Sequence, residues 1–424
     1  MLTLKQIKEN TEQKIELLKI KGFEAKDKIE QIIEFDEKRK SIQQQLDETL
    51  AQSNIIAKEI GILFKNKQIV EANEKKKETI LLKEQSKNLG NELQEIQKNI
   101  NELLVEIPNI PHESVQAGKN EDDNEILKQS GEIVEPQGKA LPHWDIAVKS
   151  DIIDFETGNK ITAAGFPLYK GKGAKLQRAL ISFFLDNASE NGYLEVQPPL
   201  MVNKNSAYAT GQLPDKDGQM YHVQDDDFFL IPTAEVPLTN IYYDTIVKEN
   251  ELPIKIAGYT PCFRREAGSY GKNVRGLNRL HQFDKVEIIQ IQHPDKSYDT
   301  LEEMKNYIES LIVKLGLPYR ILRLCGKDLS FTSALTYDFE VWSSAQKRWL
   351  EVSSVSNFLS FQANRMKLRF KDENKKSTLL HTLNGSALAL PRIVAAILEN
   401  YQKEDYIEVP EVLIPYSRFD KIEL

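Results

Sequence analysis

Thr260-Pro261-Cys262-Phe263-Arg264-Arg265-Glu266-Ala267-Gly268 leads, past a glycine-punctuated loop (268–276), into Arg279-Leu280-His281-Gln282-Phe283-Asp284-Lys285-Val286-Glu287. These two segments are the densest concentration of charge and aromatics in the chain. Residues two apart on a strand point to one face, so Arg264 and Glu266 share a side if their segment is extended. If the segments pair as a hairpin, Arg279, Phe283 and Glu287 return close to them. Such a ribbon offers guanidinium forks for phosphate, an aromatic face for a base and carboxylates for amines. For any single pair of these charges a solvent-facing ion-pair ladder is the plainer alternative. Cys262, Phe263, Phe283 and Val286 weigh against it, because they make the hairpin half buried.

The hairpin lies in a body that begins near Gly131, where aromatics, Pro and Gly become regular. Strand-like stretches (228–231, 285–292, 337–342) alternate there with amphipathic, helix-like ones (169–187, 298–315, 392–401). The pattern predicts an α+β fold with a mixed, mostly antiparallel sheet flanked by helices.

The preceding part is different. None of the seventeen prolines precedes Pro108, and only Gly22, Gly61 and Gly90 of the twenty glycines do. Ile32, Phe35, Arg39, Ile42, Leu46, Thr49, Ser53, Ile56, Ile60 and Leu63 recur in alternating steps of three and four. A second seam runs Leu82, Leu89, Leu93, Ile96, Ile100, Leu103. Separated by a reversal at Lys65-Asn66-Lys67, they predict an antiparallel helical hairpin, a coiled-coil arm roughly 50 Å long. Taken alone, such a rod reads as a spacer or oligomerisation element. The prolines of Ile107-Pro108-Asn109-Ile110-Pro111 end it, and a polar, acidic connector follows through Asp122, Asp123 and Asn124. The expected boundaries are 1–105 for the arm, 106–130 for a linker and 131–424 for the body.

Composition narrows the function. The 424 residues carry 56 Lys+Arg against 64 Asp+Glu, a net charge of −8, which excludes a globally basic nucleic-acid binder but not a local basic stripe. Cys262 and Cys325 form no CxxC pair, so neither a disulfide framework nor a zinc site is expected. The longest uncharged stretch, 377–391, is too short to cross a bilayer. A soluble, cytoplasmic protein without a membrane partner is the expectation.

The opening pair of segments resembles motif 2 of the class II aminoacyl-tRNA synthetases, in the version of the seryl-tRNA synthetases (residues 260–287). Three further blocks agree with that family: Ile231-Pro232-Thr233-Ala234-Glu235-Val236-Pro237-Leu238-Thr239-Asn240, Glu351-Val352-Ser353-Ser354-Val355-Ser356-Asn357, and Thr382-Leu383-Asn384-Gly385-Ser386 running to Pro391-Arg392. The stretch 166–199 looks like motif 1 and 382–401 like motif 3. The arm and Pro108-Asn109-Ile110-Pro111-His112 match as well, so the likeness covers essentially the whole chain. Any one block is weakly specific; all of them in order are strongly so.

The resemblance implies a serine–tRNA ligase. Serine and ATP would give seryl-adenylate and pyrophosphate, and serine would then pass to the 3′ end of tRNA(Ser); the residues leave open whether a selenocysteine tRNA is a second substrate. Motif by motif, it assigns Arg264 to the α-phosphate, Glu266 and Phe283 to adenine, Arg279 and Arg392 to the γ-phosphate, and Glu351 with Ser354 to Mg2+. Arg265, Val352 and Ser353 fall in the same ATP-binding blocks, and Arg264, Glu351 and Arg392 would carry catalysis. Thr233, Ala234, Glu235, Glu287, Asn384 and Ser386 match positions lining the serine pocket. Which of them meets the ammonium and which the hydroxyl stays open.

Two departures stand out. Ala387 and Pro391 occupy motif 3 positions where glycine is common, and Pro391 is expected in the first turn of the helix that begins near Arg392. Arg265 stands where the family often has serine. The resemblance also gives the arm a role, contacting tRNA bound mainly by the partner subunit of a homodimer. Residues 1–105 hold 19 Lys+Arg and 19 Asp+Glu, so the arm is neutral; Lys58, Lys65, Lys75 and Lys76 are its candidate phosphate contacts. A paralogue loading a carrier protein would lack this arm, and a non-catalytic scaffold would have no reason to keep Arg264, Glu287, Glu351 and Arg392 together. Cys262 with His281 suggests a nucleophile–base pair, but adenylation needs no covalent enzyme intermediate. Gly171-Lys172-Gly173-Ala174-Lys175 lacks the GK[ST] ending of a phosphate loop and is expected to open the motif 1 helix.

Overall fold

The structure is a computed structural model that describes residues 1–133, 140–266, 275–372 and 374–424. The loop read at 268–276 lies outside the described residues as far as 274, as do Ala267 and Gly268 of motif 2. The chain divides into two compact units, one of residues 1–19 and 23–108, the other of 20–22 and 109–424.

The first unit is built on two long helices, α1 (Lys26–Lys65) and α2 (Ile69–Glu106). At ~1.5 Å per residue each is about 60 Å long. The chain reverses over three residues. Asn66 N–H bonds Ile62 O (3.0 Å) and Gln68 N–H bonds Leu63 O (2.9 Å), while Lys67 takes a positive φ of 61°. That closure satisfies the last carbonyls of α1. Ile32, Ile42, Thr49 and Ile56 of the first seam are buried against Ala72, Leu82, Ile96 and Ile100. Thr49 is tolerated in the seam because its hydroxyl donates back to Gln45 O at 2.7 Å. Asp36, also buried, is neutralised by Lys8 and by Arg39 at 2.8 Å.

In the second unit, strands β1 (Glu125–Ser130), β2 (Leu194–Glu195), β3 (Ile254–Phe263), β4 (Gln282–Gln292), β5 (Tyr319–Arg323), β6 (Leu335–Ser343), β7 (Arg348–Asn357) and β8 (His381–Ala389) form one sheet. Their order is β1-β5-β6-β7-β8-β4-β3-β2, and every pairing is antiparallel except β2 with β3. The stretches read at 169–187, 298–315 and 392–401 are helices α4 (Gly171–Glu190), α6 (Ser297–Lys314) and α8 (Leu390–Asn400); shorter helices α3 (His143–Lys149), α5 (Glu235–Asn240) and α7 (Phe361–Met366) complete those used below. Leu180 and Phe184 of α4, Leu301 and Ile308 of α6, and Ile393 and Ile397 of α8 pack on Val286, Ile288, Phe339 and Val341. With a side-chain period of two, this commits alternate residues, among them Phe283, Lys285, Glu287 and Asp338, to the opposite face. Among the described residues, no helix is long and apolar enough to cross a membrane.

Some local expectations change. Residues 125–130, read as the end of a connector, form the edge strand β1 paired with β5. Arg264 and Glu266 do not share a face by strand alternation. β3 ends at Phe263, Arg264 N–H adds one bond to His281 O (2.9 Å), and Glu266 has a positive φ of 47°. Gly171 opens α4, as expected of a stretch that is no phosphate loop; a Cβ on Gly173 would stand 2.3 Å from Ile152 O.

Candidate active site

The hairpin β3–β4 pairs Phe263 with Gln282, Cys262 with Phe283, Thr260 with Lys285 and Gly258 with Glu287. On its other side β4 pairs with β8, where a bulge between the pairs Lys285–Ala389 and Glu287–Ser386 sets one residue of β4 (Val286) against two of β8 (Ala387 and Leu388). The bulge falls at Ala387, where the motif departs from its usual glycine. Pro391 occupies the first turn of α8 and leaves Arg392 in place.

A cleft opens on the exposed face of β4, β7 and β8. Arg264, Glu266, Arg279, Phe283, Glu351, Val352, Ser353, Ser386 and Arg392 line it, joined by Asn278 and Lys285. The Arg264 guanidinium lies 5.3 Å from the centre of the Phe283 ring, and its Nε donates to Pro232 O at 3.3 Å. Glu266 is ion-paired with Arg279. Arg392 donates from Nη1 to Glu351 O (2.6 Å) and from Nε to Asn278 O (3.0 Å). Ser354 lines an adjoining groove that shares Glu351, Arg279 and Arg392 with the cleft, and its hydroxyl donates to Asp338. Burial, reinforced by the nearby Glu351, pushes the Asp338 carboxyl well above its usual range.

Behind Ser386 the site becomes buried and acidic. Glu287 Oε2 accepts from Thr233 Oγ1 (3.3 Å) and Ser386 Oγ (3.3 Å), and pairs with Lys285 Nζ at 2.7 Å. Glu235 accepts from Gln362 Nε2 at 2.6 Å, and Gln362 is itself oriented by Thr382 Oγ1, which donates to its carbonyl at 2.7 Å. Burial raises the Glu235 carboxyl to about 7, against the opposing bond from Gln362. Ala234 is fully buried at the start of α5, in an apolar cluster with Leu238, Ile256 and Ile289. Asn384 stands two residues from Ser386 on β8, half buried and outside the cleft lining. Arg265 is exposed and turned away from the cleft, its amide bonded to Gln219 O.

The comparisons with known proteins settle the family. Residues 1–111 match the profile of the seryl-tRNA synthetase N-terminal domain, and residues 221–401 that of the tRNA synthetase class II core domain (G, H, P, S and T). The chain is 49% identical over 424 residues to the serine–tRNA ligase of Salinibacter ruber, covering 100% of this chain and 99% of that one. It is 44% identical to that of Thermodesulfovibrio yellowstonii, covering 100% of both. Among solved structures, seryl-tRNA synthetase from Pyrococcus horikoshii complexed with ATP superposes with a TM-score of 0.93 at 33% identity, covering 100% of this chain and 99% of that one.

The chain belongs to the seryl-tRNA synthetase family.

It is therefore a class II aminoacyl-tRNA synthetase whose reaction joins serine to tRNA at the expense of ATP. In this synthetase Cys262 and His281 do not form a reactive pair. The thiol is fully buried, which pushes its pKa up, whereas His281 Nδ1 lies 3.1 Å from both the Tyr221 hydroxyl and Arg264 O. Three polar residues of the site escaped the sequence reading: Lys285, Gln362 and Asn278. Lys285 alone carried a signal, since it is two residues from Glu287 on an apolar strand. On the arm of the synthetase, Lys58, Lys65 and Lys76 are exposed. Lys75 is half buried and paired with Glu59 at 2.9 Å.

Proposed function

We propose that the synthetase binds ATP along the cleft, with adenine between Phe283 and Glu266, the α-phosphate at Arg264 and the γ-phosphate at Arg279 and Arg392. Serine then occupies the buried end at Thr233, Glu235, Glu287 and Ser386. The observation that carries this reading is Glu287. It is a buried carboxylate two residues from a cleft-lining lysine, and Ser386, which donates to it, also lines the cleft. Lys285 and Ser386 thus join the cationic and aromatic lining of the cleft to the buried carboxylates and hydroxyls behind it, the polarity sequence of an aminoacyl-adenylate.

Serine's carboxylate attacks the α-phosphorus in line, the bond to pyrophosphate breaks, and negative charge builds on the phosphate oxygens. The chain's contribution is positioning and fixed charge. Arg264 stays protonated throughout and can fork across phosphate and carboxylate oxygens together. Lys285 gives a second cation between the two substrates. Two carboxylates suit the ammonium, and the hydroxyl-bearing set suits the serine side chain. A site built to hydrogen-bond that hydroxyl rejects alanine by ~10⁴–10⁵, because its own polar groups would be left unpaired.

Mg2+ fits the donors present. Glu351 and Ser354 offer only hard oxygens, and among the described residues no three His, Cys, Asp or Glu side chains gather into a protein-only cage. Glu351 and Ser354 would hold the cation, which would supply positive charge to offset that of the phosphates.

We assign residues 131–424 to catalysis, with 106–130 joining them to the arm, and residues 1–105 to tRNA, with Lys58, Lys65 and Lys76 as phosphate contacts. A homodimer with tRNA spanning both subunits is supported by exposed apolar side chains beyond α4: Leu194, Leu200, Met201 and Phe228 are 65, 38, 50 and 41% exposed. Cytoplasmic placement accords with Cys262 and Cys325, both buried and unpaired. Serine-dependent exchange of pyrophosphate into ATP, compared between the native chain and Arg264→Ala, tests the reading. The variant should lose at least ~10²-fold, as for a lost oxyanion donor. Near-native exchange would refute the role of Arg264.

A further inference from the structure

We propose that His143, which touches neither substrate, is a positioning residue for ATP and sets the place of the segment 276–279. The inference rests on the assignment of Arg279 and Arg392 to the γ-phosphate.

His143, at the start of α3, and Glu399, near the end of α8, are both fully buried at 0% exposure. Leu277 N–H donates to His143 Nε2 at 2.9 Å. A backbone N–H can only donate, so Nε2 must carry a lone pair and the ring proton must sit on Nδ1. From there it is donated to Glu399 Oε1 at 2.8 Å. Glu399 also accepts from the His143 amide at 3.0 Å, from Gln346 Nε2 at 3.2 Å and from the Ser343 hydroxyl. Every ring nitrogen and both carboxylate oxygens therefore have partners, and these come from α3, α8, the segment 276–279 and the β6–β7 turn at 343–346.

The outputs of this network converge on one phosphate. Asn278 exchanges side-chain bonds with Gln346 (2.9 and 3.4 Å), and its carbonyl accepts from Arg392 Nε at 3.0 Å. Arg279 follows at once. Glu399 stands seven residues after Arg392 on α8, two turns along the same face. Gly276 fixes how closely the segment lies on the imidazole. It has a positive φ of 67°, and a Cβ there would be 2.3 Å from His143 Nε2. The ring is thus a gauge block: its Nδ1 side locates α8 and Arg392, its Nε2 side locates the backbone that carries Arg279. None of its bonds reaches Thr233, Glu235 or Glu287, so its loss should be felt by ATP and not by serine.

The experiment uses two amide replacements in the full-length chain. Asparagine sets its amide near the Nδ1 position and keeps a donor for Glu399 but no acceptor for Leu277. Glutamine reaches the Nε2 position and does the reverse. His143→Asn should raise the KM for ATP in pyrophosphate exchange by ~10-fold. The KM for serine, and the affinity for AMP, which lacks the γ-phosphate, should stay within about twofold. His143→Gln should keep the ATP KM within ~3-fold while lowering the Tm. If His143→Asn fails to fold, Gln346→Ala, which removes the Asn278 tie and one of the donors to Glu399 while leaving the imidazole in place, should give the same split. An unchanged KM for ATP, or equal losses of ATP, AMP and serine, overturns the inference. Arg392→Ala is run alongside. If it leaves ATP affinity intact, the γ-phosphate assignment has failed and the inference with it; if it weakens ATP while the His143 and Gln346 variants do not, only the positioning role is wrong.

Discussion

Glu235 carries its proton up to about 7, because burial disfavours the charged form more than Gln362, Lys285 and Arg264 favour it. If serine's ammonium is held by this carboxylate, each unit of pH below that value should raise the KM for serine ~10-fold, with a plateau above it. Exchange kinetics at saturating ATP between pH 5.5 and 8.5 measure this, and a flat profile would remove Glu235 from ammonium binding. The same shift acts on folding with the opposite preference. A raised carboxyl binds its proton more tightly in the folded chain, so its stabilising contribution is complete below 4.5 and gone above about 7. Gln362→Met strips Glu235 of its buried donor at similar volume. A lost bond to a charged group costs ~1.5–3 kcal/mol, so the KM for serine should rise by roughly 10- to 100-fold with little change for ATP. This residue was not legible in the sequence. Gln362 and Glu235 are 127 positions apart, and only the folded chain brings them within hydrogen-bond distance.

At the level of elements, the two helices of the arm and the β3–β4 hairpin were readable for one reason: each buries one side, and burial leaves a period of 3.5 or of 2 in the sequence. β1 left no such mark. Five of its six residues are exposed, so nothing distinguished it from the acidic connector before it. The turn at 264–266 was hidden differently, because glutamate rarely takes the positive φ that Glu266 adopts. His143 and Lys285 are polar residues in buried places, and only the finished packing supplies their partners. The arm's core is thin and local, which predicts that it can be removed. If RNA contact depends on the arm's cations as proposed, deleting residues 30–102 should leave exchange within about threefold and abolish tRNA charging. Equal loss of both activities would show that the arm also supports the fold.

Over the whole molecule, a net charge of −8 coexists with a nucleic-acid substrate because the 19 positive and 19 negative residues of the arm balance, leaving the excess acid on the rest. The apolar side chains on β2 and the segments after it call for a partner surface. If the proposed homodimer forms on this face, Leu194→Asp with Met201→Asp should shift the enzyme from dimer to monomer in sedimentation, and tRNA charging should fall further than exchange does. A variant that stays dimeric would place the interface elsewhere. One consequence of β4 reaches beyond mechanism. Phe283, Lys285 and Glu287 climb a single strand in steps of two, about 7 Å apiece, so under the proposed binding mode they would be a ruler laid under the two reactants. Insert one residue between its ends and everything beyond is thrown to the helical side. A descendant that abandoned serine for another amino acid would have to rewrite the letters of that strand while keeping its count.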